Sequence, residues 1–219
     1  MQNKSCGLYA RFFKRFLDVV LSFIAIILLS PLFVILILLG SAFMRGNPFF
    51  TQDRPGYNGK VFKLIKFRTM DNRKDKDGNL LPDAVRLNGY GKLLRSTSLD
   101  EIPELINILK GDMSIIGPRP LLVKYLPYYT PFESKRHSVR PGLTGYAQCH
   151  GRNTLVWEER FEMDAWYVEN IRLSTDIMII FDSIKAVLLH DGVELNTLED
   201  FDEYRRKQIS EKAIADLKQ

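Results

Sequence analysis

Cysteine and histidine are scarce in this sequence. There are two cysteines, Cys6 and Cys149, and three histidines, His137, His150 and His190. Their spacing matches neither a disulfide framework nor a zinc motif, so the chain fits a reducing compartment. A P-loop is missing as well, because no Gly-x-x-x-x-Gly-Lys-Ser/Thr segment occurs. These absences exclude a secreted disulfide scaffold and a P-loop nucleotide site.

Charge is absent from one long stretch near the start. From Val19 to Met44 no residue is charged. As a straight helix this stretch would be about 39 Å long, enough to cross a hydrocarbon core of about 30 Å. It is too long for a signal peptide, and no small-residue cleavage site follows it. The basic and aromatic residues of 1–17 are typical of a segment that lies on a membrane surface.

Ser30–Pro31 interrupts the apolar stretch near its middle. Proline removes one helical hydrogen bond, and the preceding serine can satisfy the freed group. Two topologies remain: a kinked helix that spans the membrane, and a re-entrant hairpin with both ends on one side. Basic residues flank both ends, which favours the hairpin by the positive-inside rule. They are Arg11, Lys14 and Arg15 before the stretch, and Arg45, Arg54, Lys60 and Lys63 after it.

The whole chain is basic. Its 219 residues include 31 Lys and Arg against 26 Asp and Glu, a formal net charge of +5. This balance favours anionic partners such as nucleic acid, phosphorylated small molecules or an acidic lipid surface. A nucleic-acid binder is disfavoured, because the chain has a long apolar stretch and lacks an aromatic-basic recognition motif.

The segment 95–120 carries the most chemistry. Asp100 and Glu101 stand at the start of a predicted helix whose apolar residues recur at three- and four-residue spacing. Ser98 or Asp100 is predicted to cap this helix, and Gly111 to end it.

Arginines on both sides make the same segment a candidate phosphate site. Arg95 precedes the two acids, and Arg119 follows them in a Gly-Pro-Arg-Pro turn. Carboxylates and guanidinium groups can share a site with a phosphate. The residues alone leave open whether Asp100 is a helix cap or a nucleophile.

Two further segments flank this one. Residues 49–70 predict a β-hairpin around an Asn-Gly turn, and cations share one face of its second arm. Their role is open between a solvated or headgroup-facing surface and a ligand contact. The Gly-rich segment 136–153 contains Arg140 and Arg152, which could pair with phosphate. The cations of the hairpin are Lys63, Lys66 and Arg68.

The remainder predicts two helices and a tail. The helices cover 155–170 and 174–190, and the second carries an apolar stripe expected to be buried against the domain or the bilayer. The polar tail after residue 192 is expected to form an exposed helix or a partly disordered end.

These motifs together resemble one family. The chain is similar to the bacterial sugar transferases known as monotopic phosphoglycosyl transferases, over roughly residues 11–190. Within them it resembles the small type that transfers N,N′-diacetylbacillosamine 1-phosphate to undecaprenyl phosphate. The matching segments are KRFLDVVLSFIAIILLSP, FFTQDRPGYNGKVFKLIKFRTM, RSTSLDEIPELINILKGDMSIIGPRPLL and VRPGLTGYAQCHGRN.

The resemblance implies an α+β fold on a membrane. A re-entrant helix hairpin, broken at Ser30–Pro31, would precede a small cytosolic domain of short helices, a β-hairpin and membrane-surface amphipathic helices. The implied parts are 1–46 in one leaflet of the bacterial cytoplasmic membrane, 47–192 as the catalytic domain and 193–219 as a polar tail. The active domain would lie on the cytoplasmic face.

The resemblance also implies a two-step reaction. Asp100, with Glu101 as its partner, would attack the β-phosphorus of a UDP-sugar and expel UMP. Undecaprenyl phosphate would then take the phosphosugar from the aspartate. Mg²⁺ is implied, bound by Asp100 and the substrate phosphates. The arginines expected to contact phosphate or nucleotide are Arg95, Arg119, Arg140 and Arg152.

The sugar and the pathway stay open. UDP-N,N′-diacetylbacillosamine or a related N-acetylated sugar is the expected donor, with downstream glycosyltransferases of glycan assembly as partners. The alternative donor is another UDP-sugar such as UDP-galactose, for capsule, exopolysaccharide or O-antigen. A non-catalytic membrane-surface scaffold, in which the Asp-Glu pair is only a cap, is the alternative of a different class.

Overall fold

Helices and two small sheets make up the computed structural model, which describes residues 7–150, 155–188 and 200–216. The mixed α and β content confirms the predicted class. The helices are α1 (Lys14–Phe43), α2 (Asp83–Arg86), α3 (Gly89–Ser96), α4 (Glu104–Lys110), α5 (Tyr146–His150), α6 (Trp157–Glu169), α7 (Leu173–Leu188) and α8 (Phe201–Asp216). The strands are β1 (Phe49–Pro55), β2 (Val61–Phe67), β3 (Ser114–Ile116) and β4 (Gly142–Thr144), paired as β1–β2 and β3–β4.

The chain divides into two compact units. The N-terminal unit comprises Cys6–Asp53 and Phe62–Ile115, and the C-terminal unit comprises Arg54–Val61 and Ile116–Gln219 together with Met1–Ser5. The boundaries expected near residues 46 and 192 stay a prediction.

One long apolar helix opens the N-terminal unit. A π-helical turn at Tyr9–Phe13 leads into α1, and the combined helix has a mean hydropathy of 3.0 over its most apolar window. It is long and apolar enough to cross a membrane by length and composition. Pro31 lies inside it, and the Ser30 hydroxyl donates to the Ile27 carbonyl at 2.7 Å. That carbonyl is the one Pro31 cannot reach, so the serine satisfies the freed group as predicted.

The arm of α1 before Pro31 is held by polar contacts. The Arg15 guanidinium donates to the carbonyls of Ile108 and Leu109, at 2.6 and 3.0 Å. The buried Asp18 carboxylate accepts from the Ile115 N–H at 3.0 Å. Arg15 therefore supplies donors to carbonyls in the last turn of α4, of which Ile108 also accepts from the Gly111 N–H.

The arm of α1 after Pro31 is held by packing. The Tyr90 hydroxyl donates to the Leu36 carbonyl at 2.9 Å, and a Cβ on Gly40 would lie 2.8 Å from Cβ of Pro48. Only glycine allows this approach. The buried cluster at this arm contains Leu36, Met44, Phe67, Tyr90 and Leu94.

The predicted β-hairpin is confirmed. β1 and β2 pair, and the turn between them is a short 3₁₀ segment at Tyr57–Gly59. Asn58 and Gly59 have φ values of 54° and 72°, the left-handed conformation that an Asn-Gly pair adopts at little cost.

The helix predicted after Ser98 is broken into two pieces. A 3₁₀ turn covers Leu99–Glu101, and α4 begins only at Glu104. The prediction that Ser98 or Asp100 caps this helix is wrong, because Pro103 occupies the cap position and has no N–H to continue the hydrogen-bond ladder. Gly111 ends α4 at φ 95°, as predicted.

The predicted helices of the C-terminal unit are confirmed as α6 and α7, with one difference in burial. Ile177, Phe181 and Ile184 of α7 are 44%, 68% and 51% exposed. Their stripe is therefore not buried against the domain, and its burial in a bilayer stays a prediction. Among the residues 173–186, whose burial the structure describes, Asp176, Ile179 and Ala186 are buried.

The tail helix is anchored at its first residue. The predicted helix is present as α8 and most of its described side chains are exposed or half-buried, but Phe201 is fully buried among aromatic rings. Lys124 forms an ion pair with Asp202 at 2.9 Å, which holds the same turn of α8. An alternating charge pattern does not reveal a single aromatic anchor. The rings around Phe201 belong to Tyr125, Tyr129, Trp157 and Phe161.

Phe201→Ala is expected to lower the free energy of unfolding of the C-terminal unit by about 3–5 kcal/mol, because it leaves a cavity in this cluster. Ile209→Ala is the matched control on the same helix, since Ile209 is 58% exposed; its effect should stay within about 0.5 kcal/mol. Denaturant titration of both variants checks this, and equal stabilities would contradict the anchoring role.

Candidate active site

The Asp100–Glu101 turn is held by a lysine from the hairpin. Lys66, on β2, places its ammonium 2.6 Å from Glu101 Oε1 and 3.1 Å from Glu104 Oε1. The contact between Lys66 and Glu104 is an ion pair, because its geometry does not satisfy that of a hydrogen bond. The three side chains are only 16%, 17% and 3% exposed. This lysine cluster, Lys66–Glu101–Glu104, therefore ties β2 to the beginning of α4.

The lysine cluster decides a question that the sequence left open. Lys66 was one of three cations expected on a single face of the hairpin, with a solvated or ligand-binding role. It instead neutralises buried carboxylates beside Asp100, which is itself half-buried. One ammonium thus contacts two glutamates beside Asp100.

A buried asparagine sets the position of α4 on the hairpin. The Asn107 side chain accepts from the Ile65 N–H at 3.0 Å and donates to the Lys63 carbonyl at 2.8 Å. Asn107 is 1% exposed, and it also donates to the Asp112 carboxylate at 3.2 Å. The bonds to Ile65 and Lys63 pair main-chain groups at the edge of β2, as a neighbouring strand would. Sequence reasoning missed Asn107, because a polar residue on a helix gives no signal of its partner.

Arg95 lies in the last turn of α3, in the same unit as Asp100. Its Nε donates to the hydroxyl of Thr69 at 3.0 Å, and Thr69 is buried. A Cβ on Gly91 would lie 1.8 Å from the Thr69 carbonyl oxygen, so only glycine lets α3 come this close. Arg95 itself is exposed and so accessible to a ligand.

The other candidate arginines do not belong to this unit. Arg119 and Arg140 lie in the C-terminal unit, and Arg152 lies outside the described residues. The carbonyl of Arg119 accepts from the Arg136 guanidinium at 2.6 Å. The Arg140 guanidinium lies 6.0 Å from the centroid of the Tyr57 ring, a cation–π distance.

Glycines bring the segments that carry Arg119 and Arg140 into backbone contact. The Gly117 N–H donates to the Thr144 carbonyl at 2.9 Å, and the Gly142 N–H donates to the Pro118 carbonyl at 3.0 Å. A Cβ on Gly142 would lie 2.1 Å from the Gly117 nitrogen. The two arginine segments are thus fixed to each other by main-chain bonds that no larger residue permits.

Cys149 is not activated as a nucleophile. Burial, and then the charge of Asp182, raise the pKa of its thiol to about 11. The group is therefore a protonated thiol at neutral pH, and a thiolate is the nucleophilic form.

Comparison with known proteins identifies the family. The model of the bacterial sugar transferase family matches residues 9–190. The chain belongs to the bacterial sugar transferase family. It is a phosphoglycosyl transferase, the enzyme class that the sequence predicted, and the long apolar α1 fits a membrane location.

Individual relatives agree with this assignment. The uncharacterized sugar transferase EpsL of Bacillus subtilis is 52% identical over 150 residues, 68% of this chain and 74% of that protein. The exopolysaccharide production protein ExoY of Sinorhizobium fredii is 38% identical over 82% of this chain and 87% of its own. The undecaprenyl-phosphate galactose phosphotransferase of Salmonella typhimurium is 36% identical over 88% of this chain, which spans 44% of that protein.

Lys66→Met is expected to destabilise the N-terminal unit by about 3–5 kcal/mol, because it leaves two buried carboxylates without their cation. Lys63→Met, on the same strand, is the matched control. Its side chain is 76% exposed and pairs with an exposed Asp53, so the loss should stay below about 1 kcal/mol. Adding Glu104→Gln to Lys66→Met should recover part of the stability. Equal unfolding midpoints for the two lysine variants would show that the cluster contributes nothing.

Proposed function

We propose that this enzyme transfers a sugar 1-phosphate from a UDP-sugar to undecaprenyl phosphate and releases UMP. The observation that carries this function is the Asp100–Glu101 turn, held in place by Lys66 in a chain of the sugar transferase family. The Salmonella relative is named for the same acceptor, undecaprenyl phosphate, and for galactose.

The reaction proceeds in two displacements at phosphorus. In the first, a carboxylate oxygen of Asp100 bonds to the β-phosphorus of the donor. The bond from that phosphorus to the bridging oxygen breaks, and UMP leaves with the electron pair. In the second, a phosphate oxygen of undecaprenyl phosphate attacks the phosphosugar, and the Asp100 carboxylate is released. One anhydride replaces another, so little driving force is needed, and a covalent intermediate lets a soluble donor and a lipid acceptor react in turn.

The lysine cluster supports a role for the Asp100–Glu101 turn, because it fixes the position of that turn. Lys66 lies within ion-pair distance of Glu101 and Glu104 and so ties the turn and the beginning of α4 to β2. Glu101 is assigned the role of partner, since it adjoins Asp100 in the same 3₁₀ turn and is fixed by the lysine.

Mg²⁺ is proposed as the cofactor. Carboxylate and phosphate oxygens are the ligands this ion prefers, and the Asp100 carboxylate is half-buried in the turn that carries the lysine cluster. Asp100 would hold it together with the substrate phosphates, and the bound ion neutralises phosphate charge. Arg95, Arg119, Arg140 and Arg152 are proposed to supply further positive charge to the phosphates and the nucleotide.

We also propose that α1 is re-entrant and enters one leaflet from the cytoplasmic side. Arg15 and Asp18 hold the arm before Pro31, and Leu36 and Gly40 hold the arm after it, all within the N-terminal unit. Contacts from both arms to one unit favour both ends on the same side of the bilayer. The exposed apolar stripe of α7 is expected to contact the same membrane surface.

Asp100→Asn is expected to lower UMP release by about a thousandfold or more, because the amide is not a nucleophile. Glu101→Gln should lower it by about a hundredfold. Glu162→Gln, an exposed acidic residue of α6, is the control and should keep full activity. The measurement is UMP release with and without undecaprenyl phosphate, paired with intact-protein mass spectrometry for a phosphosugar adduct.

The donors in this assay identify the sugar. The panel includes UDP-N,N′-diacetylbacillosamine and UDP-galactose, the second favoured by the name of the Salmonella relative. Full activity of Asp100→Asn would refute the covalent mechanism. Folded, membrane-bound protein that releases no UMP from any donor would favour the scaffold alternative.

Two single-cysteine variants test the topology. In a background with both native cysteines changed to serine, Gly7→Cys and Lys76→Cys should react with an impermeant maleimide from the same, cytoplasmic side. Both positions are exposed, and a Cβ at position 7 would have no neighbouring atom within 4 Å. Labelling from opposite sides would establish a spanning helix.

A further inference from the structure

Three potential metal ligands from two helices meet in the C-terminal unit. Cys149 and His150 end α5, and Asp182 lies in the third turn of α7. One donor atom from each, a sulfur, a ring nitrogen and a carboxylate oxygen, lie within 4.8 Å of one another. The sequence gives no zinc spacing, because Asp182 joins the other two only through the packing of α5 against α7.

The imidazole of His150 is already oriented as a ligand. Its Nδ1 lies 3.0 Å from the Tyr146 carbonyl, and its Nε2 lies 3.6 Å from Asp182 Oδ2. With the proton on Nδ1 donated to that carbonyl, Nε2 presents its lone pair towards the carboxylate. Metal-binding histidines are commonly fixed by such a bond from the other ring nitrogen. The Cys149 sulfur lies 3.1 Å from Nδ1 of the same ring.

The scaffold around the three ligands is ordered, and the ligands are reachable. Thr144 and Ser183 share a hydrogen bond of 2.6 Å that joins β4 to α7. The Tyr146 ring stacks on Trp166 at 4.4 Å between centroids, which holds α5 on α6. The side chains of His150 and Asp182 are 33% and 36% exposed, so an ion can enter from solvent.

We propose that Cys149, His150 and Asp182 bind a divalent transition-metal ion of the zinc class. Thiolate and imidazole select Zn²⁺, Co²⁺ and related ions over Mg²⁺ and Ca²⁺, which require oxygen ligands. In a tetrahedral zinc site the donor atoms lie roughly 3.3–3.6 Å apart, so separations of up to 4.8 Å shorten by side-chain rotation when the ion binds. The ion displaces the proton of the Cys149 thiol, which passes to solvent, and water completes the coordination.

The bound ion cross-links α5 and α7. It binds the folded unit and not the unfolded chain, so it raises thermal stability by mass action. This cross-link stabilises the segment from Gly145 to His150. Its ligands are different residues from Asp100, the residue proposed to bind Mg²⁺. It therefore does not depend on the proposed reaction, and its test uses no substrate.

The test is a cobalt titration of the full-length, metal-stripped protein in detergent. Co²⁺ bound through a thiolate gives a sulfur-to-cobalt charge-transfer band, and added Zn²⁺ should abolish it. The chain offers matched controls, since it has one other cysteine and two other histidines. Cys6→Ser and His190→Gln should keep the band and the affinity. Cys149→Ser should lose the band. His150→Gln and Asp182→Asn should weaken Co²⁺ binding about tenfold or more, because each removes a proposed ligand.

A thermal scan supplies the second readout. Zn²⁺ should raise the unfolding temperature of the wild type and of Cys6→Ser, and leave that of Cys149→Ser unchanged. A band that survives in Cys149→Ser, or that disappears in Cys6→Ser, would overturn the site. So would unaltered affinity in Asp182→Asn, a half-exposed position where the substitution keeps side-chain size and should leave the fold intact. Absence of the band in the wild type at a large excess of Co²⁺ would also overturn the site.

Discussion

The candidate active site depends on one largely buried charge interaction, the contact of Lys66 with Glu101 and Glu104. Burying two carboxylates is costly unless a cation accompanies them, and here the cation comes from a strand while the acids come from the turn before α4 and from its first residue. The hairpin and α4 can therefore pack only in the arrangement that brings these groups together. Asn107 adds directional bonds to the same contact. The orientation of the Asp100 turn follows from both.

The same unit also holds the membrane helix. Arg15 and Asp18 bond to the chain on either side of Gly111, the residue at which α4 ends. Polar groups inside an apolar helix are tolerated when protein, and not lipid, surrounds them, and Asp18 is 4% exposed. In the proposed reaction, these bonds between α1 and the chain around Gly111 would keep the nucleophile at the depth where the phosphate of a lipid acceptor lies.

Local patterns in the sequence predicted local structure well. The Asn58–Gly59 turn, the end of α4 at Gly111 and the hydroxyl of Ser30 at the carbonyl freed by Pro31 all follow from short-range sterics. The differences concern the cap of α4 and burial. Pro103 stands where Ser98 or Asp100 was predicted to cap the helix, Ile177, Phe181 and Ile184 of α7 are exposed, and Phe201 is buried in an otherwise polar tail. Periodicity shows that a helix has an apolar face, but not what covers that face.

By itself the sequence determined the family, the α+β class, the apolar helix with its proline and the adjacent acids Asp100 and Glu101, because these are properties of contiguous segments. Tertiary structure alone decided that Lys66 neutralises Glu101, that Asn107 bridges to β2, and that Asp182 meets Cys149 and His150. Each of those pairs joins residues on different elements. Their proximity results from how strands and helices pack, and no local spacing encodes it.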